Sequence, residues 1–459
     1  MSGLAVLLCG GTGLDAGAVA GVGAAVEVID DLCSRPDAAA EAVRELGASR
    51  VVLGLCHERP SGDLLGALRR AGAEPFGVVA VALGGHDRDE SVRIVSAAAA
   101  RLAALAPGES GRPFVATKGL SRRGLLSVAV AMPHAPVAVL DARACTGVAG
   151  CGLCVEACGA TAISVAGSLP AIDAAACTAC GACVPACPDG ALRLAGAANA
   201  QVAAQLEALV PGTDVVFACE RAGAEAPPGW ALVELPALAL VTPGWILQVR
   251  ARGARVRLAP CGGACCAGSD DVLALAERVL DGGATDAAAP VTLDEPRATV
   301  DAVLRLAPTA AVEHPASPLG LLACNDERCT LCGACAAVCP TRALRLVEGV
   351  DATVLHHDPA ACVACAKCVP ACPEHALAVT RGIDAARLAA GPAELVRAER
   401  EACARCGADL PPRPMRRRLR ELLPELAGAP LDLCAGCARK TGAAPLAYDA
   451  ATRGERSST

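Results

Sequence analysis

The sequence is very poor in aromatic residues. Phe, Trp and Tyr together make up 1% of its 459 residues, although 54% of the chain is hydrophobic. The apolar content is therefore largely alanine, valine and leucine, whose small side chains each bury less area than an aromatic ring. A genome-wide codon bias would produce the same composition. Because the chain is also too long for one core, we expect about three to five compact domains.

The chain also lacks an excess of positive charge and a long apolar run, and no leader is expected. Its net charge of -7 gives no general attraction to nucleic acid, so no nucleic-acid partner is expected. The apolar stretches 125–140 and 230–249 are interrupted by prolines and polar residues, so no membrane span is expected. Residues 1–13 contain no basic region, twin arginine or cleavage site. This pattern predicts a reducing, cytoplasmic compartment.

Cysteine is abundant, with 28 residues, and most of them lie in four runs. The runs that begin at Cys177, Cys329 and Cys362 follow C-x2-C-x2-C-x3-C-P without deviation. The run that begins at Cys145 starts with C-x5-C and has Gly159 in place of the proline. The runs form two pairs, and their members are Cys145, Cys151, Cys154, Cys158, Cys177, Cys180, Cys183 and Cys187, then Cys329, Cys332, Cys335, Cys339, Cys362, Cys365, Cys368 and Cys372.

These runs resemble those of bacterial ferredoxins, in which three thiolates bind one 4Fe-4S cluster and the fourth binds its neighbour. The resemblance implies two dicluster modules and four 4Fe-4S clusters. It implies four crossed ligand sets: Cys145, Cys151, Cys154 with Cys187; Cys177, Cys180, Cys183 with Cys158; Cys329, Cys332, Cys335 with Cys372; and Cys362, Cys365, Cys368 with Cys339. The longer first loop is expected to change the exposure and potential of its cluster. Structural zinc is the alternative, but zinc prefers isolated C-x2-C pairs.

Residues 4–83 alternate between strand-like and helical stretches. LAVLLC, AVEVID, VVLGLC and GVVAVAL read as strands, with helices near 36–46 and 62–71, which predicts an α/β domain with a parallel sheet. Ligands bind at the carboxyl ends of such strands. We therefore expect Cys9, Cys33 and Cys56 to converge there and to hold a further iron–sulfur cluster. The alternative is that they are small buried hydrophobic residues.

A glycine-rich turn follows the first of these strands. Gly11, Gly13 and Ala16 satisfy G-x-G-x-x-A, and Asp30 or Asp31 lies near the distance expected for a ribose ligand. Further glycines interrupt the segment that would form the helix of a dinucleotide site. A turn around a cluster ligand explains the same residues.

The first 100 residues or so resemble the N-terminal domain of the A-type polypeptide of heterodisulfide reductase. The matching pieces are LLCGG, DDLCS and RVVLGLCHERPSGDLLGALRRAGAEPF, in that order. The resemblance implies an iron–sulfur domain within an electron-transfer complex. The family's second cysteine near Cys9 is missing here, and no flavin-binding domain follows, since the chain passes through 107–136 directly to Cys145. Flavin chemistry on this chain is therefore in doubt.

A second α/β segment lies between the modules. TDVVFACE, ALVELPALAL and ARVRLAPCGGACC resemble the delta subunit of methyl-viologen-reducing hydrogenase, which joins a hydrogenase to heterodisulfide reductase. Arg221, Ala222 and Ala237 stand where that pattern expects cysteines. Four thiols remain, enough in number for a further cluster, with buried or redox-reactive free thiols as the alternative. They are Cys219, Cys261, Cys265 and Cys266.

Two C-x2-C knuckles near the C-terminus are separated by a helical, arginine-rich insert at 414–426. The knuckles are Cys403 with Cys406 and Cys434 with Cys437. Paired knuckles are typical of structural zinc, which replaces a core too small to fold alone. Rubredoxin-like iron and free thiols are the alternatives. The basic cluster at 413–420 is interpreted as a solvated helix face or a contact with an acidic partner.

These segments predict a multidomain fold in which α/β domains alternate with ferredoxin modules. The expected ranges are 1–140 (α/β), 141–196 (first module), 197–318 (α/β), 319–382 (second module), 383–442 (helical linker and zinc-ribbon-like knuckles) and 443–459 (tail).

The leading functional hypothesis is an electron-transfer subunit whose clusters connect two redox centres. The expected partners are a hydrogenase, a formate dehydrogenase or a flavoprotein subunit. His57, Glu58 and Arg59 form the most catalytic-looking group, but a polar loop is the simpler interpretation. The alternatives are a nicotinamide- or flavin-dependent oxidoreductase that uses the Gly11–Ala16 turn, and a cysteine-based redox sensor or scaffold.

Overall fold

A computed structural model describes residues 3–56, 60–106, 112–113, 134–147, 151–280, 291, 293–423 and 430–440. The chain divides into two compact units, residues 1–318 and 319–459. His57, Glu58, Arg59 and the tail at 443–459 lie outside the described residues. Among the helices that are described, none is both long and apolar enough to cross a membrane.

The first unit begins with a four-stranded parallel sheet in the order β2-β1-β3-β4. Its strands are β1 (Leu4–Cys9), β2 (Ala25–Ile29), β3 (Arg50–Leu55) and β4 (Val78–Ala82). Every side chain of β1 is buried. Alternate residues point to opposite faces, so Ala5 and Leu7 lie in one apolar core while Val6 and Leu8 lie in another. Because both faces of this parallel sheet are apolar, helices must cover both of them.

Helices α1 (Pro36–Leu46) and α2 (Gly62–Ala71) cover one face, and α3 (Arg88–Ala103) covers the other. Proline at the start of α1 has no N–H to leave unpaired, and glycine at its end adopts a left-handed conformation. The Ser61 hydroxyl caps α2 by accepting a hydrogen bond from the N–H of Leu64 at 3.2 Å. The observed bounds of α1 and α2 agree with the predicted ranges 36–46 and 62–71, because residues that cap helices stand at these ends.

The first cysteine-rich module is built on two small antiparallel pairs. After the short pair β5 (Arg112–Pro113) and β6 (His134–Ala135), β7 (Ala138–Leu140) pairs with β10 (Leu192–Leu194), and β8 (Ile163–Ala166) pairs with β9 (Leu169–Ile172). The short helix α4 (Leu153–Glu156) lies within the first cysteine run. The pairing of β7 with β10 closes the module, because it joins the strand before the first run to the strand after the second.

The central α/β domain repeats the topology of the first. Strands β11 (Asp214–Cys219), β12 (Trp230–Leu235) and β13 (Val256–Ala259) form a parallel sheet in the order β12-β11-β13. The helices are α5 (Asn199–Glu207), α6 (Pro243–Ala251), α7 (Ser269–Val279) and α8 (Arg297–Leu306), followed by the short strand β14 (Ala311–Glu313). Two of the few aromatic residues, Phe217 and Trp245, pack in its core with ring centroids 5.9 Å apart.

The strand registers show that the two α/β domains place cysteines at equivalent positions. Cys9 and Cys219 are each the last residue of the first strand, and each pairs with the last residue of the second strand. Cys56 and Cys261 also correspond, because each lies one or two residues after the end of the third strand of its sheet, β3 or β13. The sheets therefore deliver two thiols each to the same edge.

The second unit contains the other cysteine-rich module. Strand β15 (Gly320–Cys324) pairs antiparallel with β18 (Leu377–Asp384), and β16 (Leu344–Glu348), β17 (Ala352–His357) and β19 (Ala393–Glu399) form an antiparallel sheet. The helices are α9 (Ala334–Ala337), α10 (Cys368–Ala371) and α11 (Ala385–Ala390). The predicted helical linker after residue 382 is therefore wrong for 393–399. That segment is a strand because β17 offers it a free edge, which local propensity cannot reveal.

The described part of the chain ends in the two knuckles and two helices, α12 (Arg413–Leu422) and α13 (Ala435–Lys440). The basic helix α12 is not simply a solvated face. Arg416 is buried and donates a hydrogen bond to Glu401 at 2.6 Å, and Arg418 pairs with Glu374 at 2.8 Å. These ion pairs attach α12 to the cysteine-bearing part of its own unit.

Candidate metal centres

Two cavities are each lined by four cysteines that come from two different runs. Cys177, Cys180 and Cys183 line one cavity together with Cys158. The other is lined by Cys329, Cys332, Cys335 and Cys372. In both cases, three thiols belong to one run and the fourth belongs to its partner run. This is the grouping that crossed ligation requires.

The electrostatic neighbours of the buried thiols follow the same grouping. Burial raises the pKa of Cys154, and the nearby thiols of Cys151, Cys187 and Cys145 raise it further. Thiolates placed this close repel one another, and a bound metal centre would neutralise their charge.

The fourth crossed set, which contains Cys368, shows the same grouping around a buried thiol. Burial raises the pKa of Cys368 to about 12, and Cys362, Cys365 and Cys339 raise it further, ahead of Cys335. Cys154 and Cys368 each therefore lie near the other three members of their crossed set. The four sets that the ferredoxin resemblance implies are therefore brought together in space.

Left-handed residues recur at fixed positions within the runs. The residue before the second cysteine has a positive φ in each regular run: 57° at Ala179, 58° at Leu331 and 53° at Ala364. A positive φ is costly for residues other than glycine and is often found at functional sites. Here it lets the chain fold around one point, so that three closely spaced side chains face the same cavity.

The fourth cysteine of each run accepts a hydrogen bond from a backbone N–H shortly after it. The donors are Ala162 to Cys158 at 3.2 Å, Ala191 to Cys187 at 3.3 Å, Leu344 to Cys339 at 3.4 Å and Ala376 to Cys372 at 3.3 Å. A left-handed residue three positions after each cysteine makes the turn: Thr161, Gly190, Arg342 and His375. Amide bonds to ligand sulfur atoms tune cluster potentials.

Cys324 belongs to no run, and reasoning from the sequence missed it. It ends β15, where it pairs with Leu377, and it packs beside the thiols of the second module. A hydrogen bond with Cys329 raises the pKa of Cys324 and lowers that of Cys329 to about 6. The sequence shows Cys324 five residues before Cys329, but the ferredoxin spacing begins at Cys329 and includes no cysteine at that distance.

Cys9, Cys33 and Cys56 converge as expected at the carboxyl edge of the N-terminal sheet. The Sγ atom of Cys56 lies 3.6 Å from that of Cys9 and 3.8 Å from that of Cys33. Burial opposes ionisation of Cys9, but hydrogen bonds from the Gly11 backbone and the Cys56 thiol outweigh it and lower the pKa. Burial raises the pKa of Cys56 to about 11.

The glycine-rich turn surrounds this thiol group and does not begin a helix. Residues Gly10–Thr12 form a single 3-10 turn, and the next α-helix begins at Pro36. A Cβ atom on Gly11 would lie 3.4 Å from the Sγ of Cys56. A dinucleotide fingerprint places its glycines at a helix N-terminus. The local structure therefore favours the interpretation of these glycines as a turn around thiol ligands.

The four central thiols also converge. Cys219 ends β11, Cys261 follows β13, and Cys265 and Cys266 lie in the 3-10 turn Ala264–Cys266. Burial raises the pKa of Cys265 to about 12, whereas a hydrogen bond from the Gly263 backbone lowers that of Cys261 to about 7.

The C-terminal knuckles form the third compact group, Cys403, Cys406, Cys434 and Cys437. The N–H of Cys434 donates to the Cys403 Sγ at 3.2 Å, and this bond lowers the pKa of Cys403 to about 6. The Sγ atoms of Cys406 and Cys434 are 3.6 Å apart. Four thiols at this spacing can ligate one tetrahedral ion.

Comparison with known protein families identifies ferredoxin-type domains in both units. Residues 328–376 match the 4Fe-4S dicluster domain, and residues 170–193 match the 4Fe-4S binding domain. The matched ranges contain both runs of the second module and the second run of the first. No curated protein matches the chain. The chain thus contains two 4Fe-4S ferredoxin-type domains, and its cysteine clusters point to electron transfer.

Proposed function

We propose that this protein is an electron-transfer subunit that holds four 4Fe-4S clusters and passes single electrons between two redox proteins. The observation that carries the proposal is the pair of cavities lined by Cys158, Cys177, Cys180 and Cys183 and by Cys329, Cys332, Cys335 and Cys372. Bound 4Fe-4S clusters supply one-electron redox chemistry.

The protein's own contribution is to hold two sites in one rigid frame. Because each run provides ligands to both sites of its module, neither site can move without the other. The backbone N–H groups of Ala162, Ala191, Leu344 and Ala376 fix the sulfur atoms at the crossing points. A frame that does not reorganise between oxidation states suits rapid electron transfer.

One site opens to the protein surface. Cys332 is solvent-exposed, whereas Cys335 and Cys372 of the same set are buried. An electron can therefore enter or leave through the Cys332 side while the rest of the site is shielded from water. We assign this edge as a docking position for a redox partner.

The proposed partners are a hydrogenase, a formate dehydrogenase or a flavoprotein subunit, in an assembly resembling heterodisulfide reductase. Support for this assembly comes from the N-terminal and central segments, whose sequences resemble components of heterodisulfide reductase and hydrogenase and whose thiols converge in space. For the C-terminal group, we propose structural zinc. Support comes from the closed arrangement of Cys403, Cys406, Cys434 and Cys437 around one point.

The test uses the anaerobically purified full-length chain without partners. Dithionite should bleach the cluster absorption, NADH and NADPH should not, and the reduced chain should pass electrons to a one-electron acceptor. Addition of a flavoprotein or hydrogenase from the native host should couple the clusters to a two-electron substrate. Reduction by NADH within seconds, together with stoichiometric nucleotide binding abolished by Gly13→Val, would instead establish the oxidoreductase alternative.

A further inference from the structure

The four thiols at the end of the central sheet are packed closely together. The Sγ–Sγ distances are 3.5 Å for Cys261–Cys265, 3.6 Å for Cys261–Cys266, and 3.8 Å for both Cys219–Cys265 and Cys265–Cys266. All four sulfur atoms lie within 4.8 Å of one another. The four thiols therefore form one compact group.

This spacing determines how many metal ions the four thiols can share. Four thiolates at 2.3 Å from one tetrahedral ion lie about 3.8 Å apart, because a tetrahedron's edge is about 1.6 times its centre-to-corner distance. In a cubane each thiolate binds a different iron, which separates the sulfur atoms to about 6 Å. The observed distances of 3.5–3.8 Å match the single ion.

The ferredoxin runs provide an internal comparison. Within the described residues, groups of three or more thiols gather to within 4.8 Å at three places, and none of these groups is a ferredoxin set. Those sets instead line cavities, such as the one bounded by Cys329, Cys332, Cys335 and Cys372. The same chain thus contains wide sets suited to clusters and compact sets suited to single ions.

The surroundings of the central group also suit a closed site. Cys219, Cys265 and Cys266 are buried, so their sulfur atoms are shielded from water. The Arg221 guanidinium is 3.7 Å from the Cys265 Sγ, and the N–H of Cys261 donates to the Cys266 Sγ at 3.5 Å. A cation and an amide donor stabilise the negative charge that four thiolates keep around a divalent ion.

We propose that Cys219, Cys261, Cys265 and Cys266 bind one tetrahedral metal ion and not a 4Fe-4S cluster. Zinc is the expected ion, since four thiolates with no open position are its usual structural environment. The proposal differs from the sequence-based expectation of a further cluster at these cysteines, which stays an untested prediction.

The test measures zinc, iron and acid-labile sulfide in the full-length chain, purified anaerobically from medium that contains both metals. Cys265→Ser should lose about one equivalent of zinc and leave iron and sulfide unchanged. Cys406→Ser serves as a matched control, because it removes a ligand of the other four-thiol compact group. The double variant should lose about two equivalents of zinc.

Cys261→Ser separates loss of metal from loss of fold, because this thiol is only half-buried and its replacement leaves the three buried thiols Cys219, Cys265 and Cys266 in place. It should also lose zinc while the cluster spectrum persists. Loss of about two to four irons with matching sulfide from either single variant would overturn the proposal, since a cluster would then occupy the site. Unchanged metal content in both variants would overturn it as well, because the thiols would be free.

Discussion

Arg101 and Gln205 join the two α/β domains of the first unit through a buried hydrogen bond. The Arg101 guanidinium donates to Gln205 Oε1 at 3.1 Å and to the carbonyl of Glu234 at 2.9 Å. Both side chains are buried, at 7% and 8% exposure. Burial lowers the pKa of Arg101, while the negative charges of Glu220 and Glu234 oppose that shift. A buried guanidinium charge is stable only while its hydrogen-bond partners remain, because water cannot replace them.

Replacing Arg101 with methionine should destabilise the first unit by about 3 kcal/mol, because Gln205 and the Glu234 carbonyl lose a buried donor. Thermal unfolding followed by circular dichroism should show a lower midpoint. Arg88→Ala, which removes an exposed ion pair with Asp15, is the control and should leave the midpoint unchanged. Equal midpoints for the two variants would show that Arg101 does not hold the domains together.

Complete reconstitution should yield about sixteen irons in ferredoxin sites, four for each crossed set. Cys151→Ser should remove or convert one cluster of the first module and leave the signals of the second unchanged, since the modules lie in different compact units. Electron paramagnetic resonance of the reduced chain provides the measurement, and Cys365→Ser is the reciprocal control. Loss of every cluster signal from Cys151→Ser would indicate one cooperative unit.

The turns after the fourth cysteines allow a test of backbone strain. Thr161 has φ 51°, which is strained for a β-branched residue, whereas Gly190 occupies the equivalent position of the next run at φ 62°. Thr161→Gly should stabilise the first module by about 1 kcal/mol, and Gly190→Val should destabilise it by about 1–2 kcal/mol. The rate at which denaturant bleaches the clusters reports both changes. Similar rates for the two variants would contradict this account.

The C-terminal knuckles should hold about one zinc that survives oxidation of the clusters, since zinc has no redox chemistry. Cys437→Ser should release it and should weaken the packing of Cys403 and Leu410, which form a small core with Cys437. Metal analysis after aerobic bleaching, with limited proteolysis of the same sample, checks both effects. Recovery of iron in place of zinc would favour the rubredoxin-like alternative.

Local spacing was enough to identify the ferredoxin modules. Three thiolates at C-x2-C-x2-C can face one point only if the chain turns within the run, and the left-handed residues Ala179, Leu331 and Ala364 make that turn. Alternating apolar runs likewise specified the strands of the first sheet, because a buried parallel strand needs a continuous hydrophobic sequence. The helices that end at Leu46 and Ala71 were likewise placed from the sequence, and each is followed by a left-handed glycine.

Residues brought together from distant parts of the chain were beyond such reasoning. Cys324 lies near Cys372 because β15 pairs with β18, and residues 393–399 form a strand because β17 has an edge to pair with. Arg416 is buried against Glu401, although its sequence context reads as a solvated basic face. Each of these contacts depends on a partner that local sequence does not contain.

The sequence by itself determined which residues could be metal ligands, since the type of a side chain and its spacing along one run are local properties. Only the tertiary structure decided how many ions a group could share. The distance between sulfur atoms from different strands, such as 3.8 Å between Cys219 and Cys265, is set by sheet register and loop path. Clusters and single ions need different sulfur separations, so the nature of each centre depends on packing between segments that are far apart in the chain.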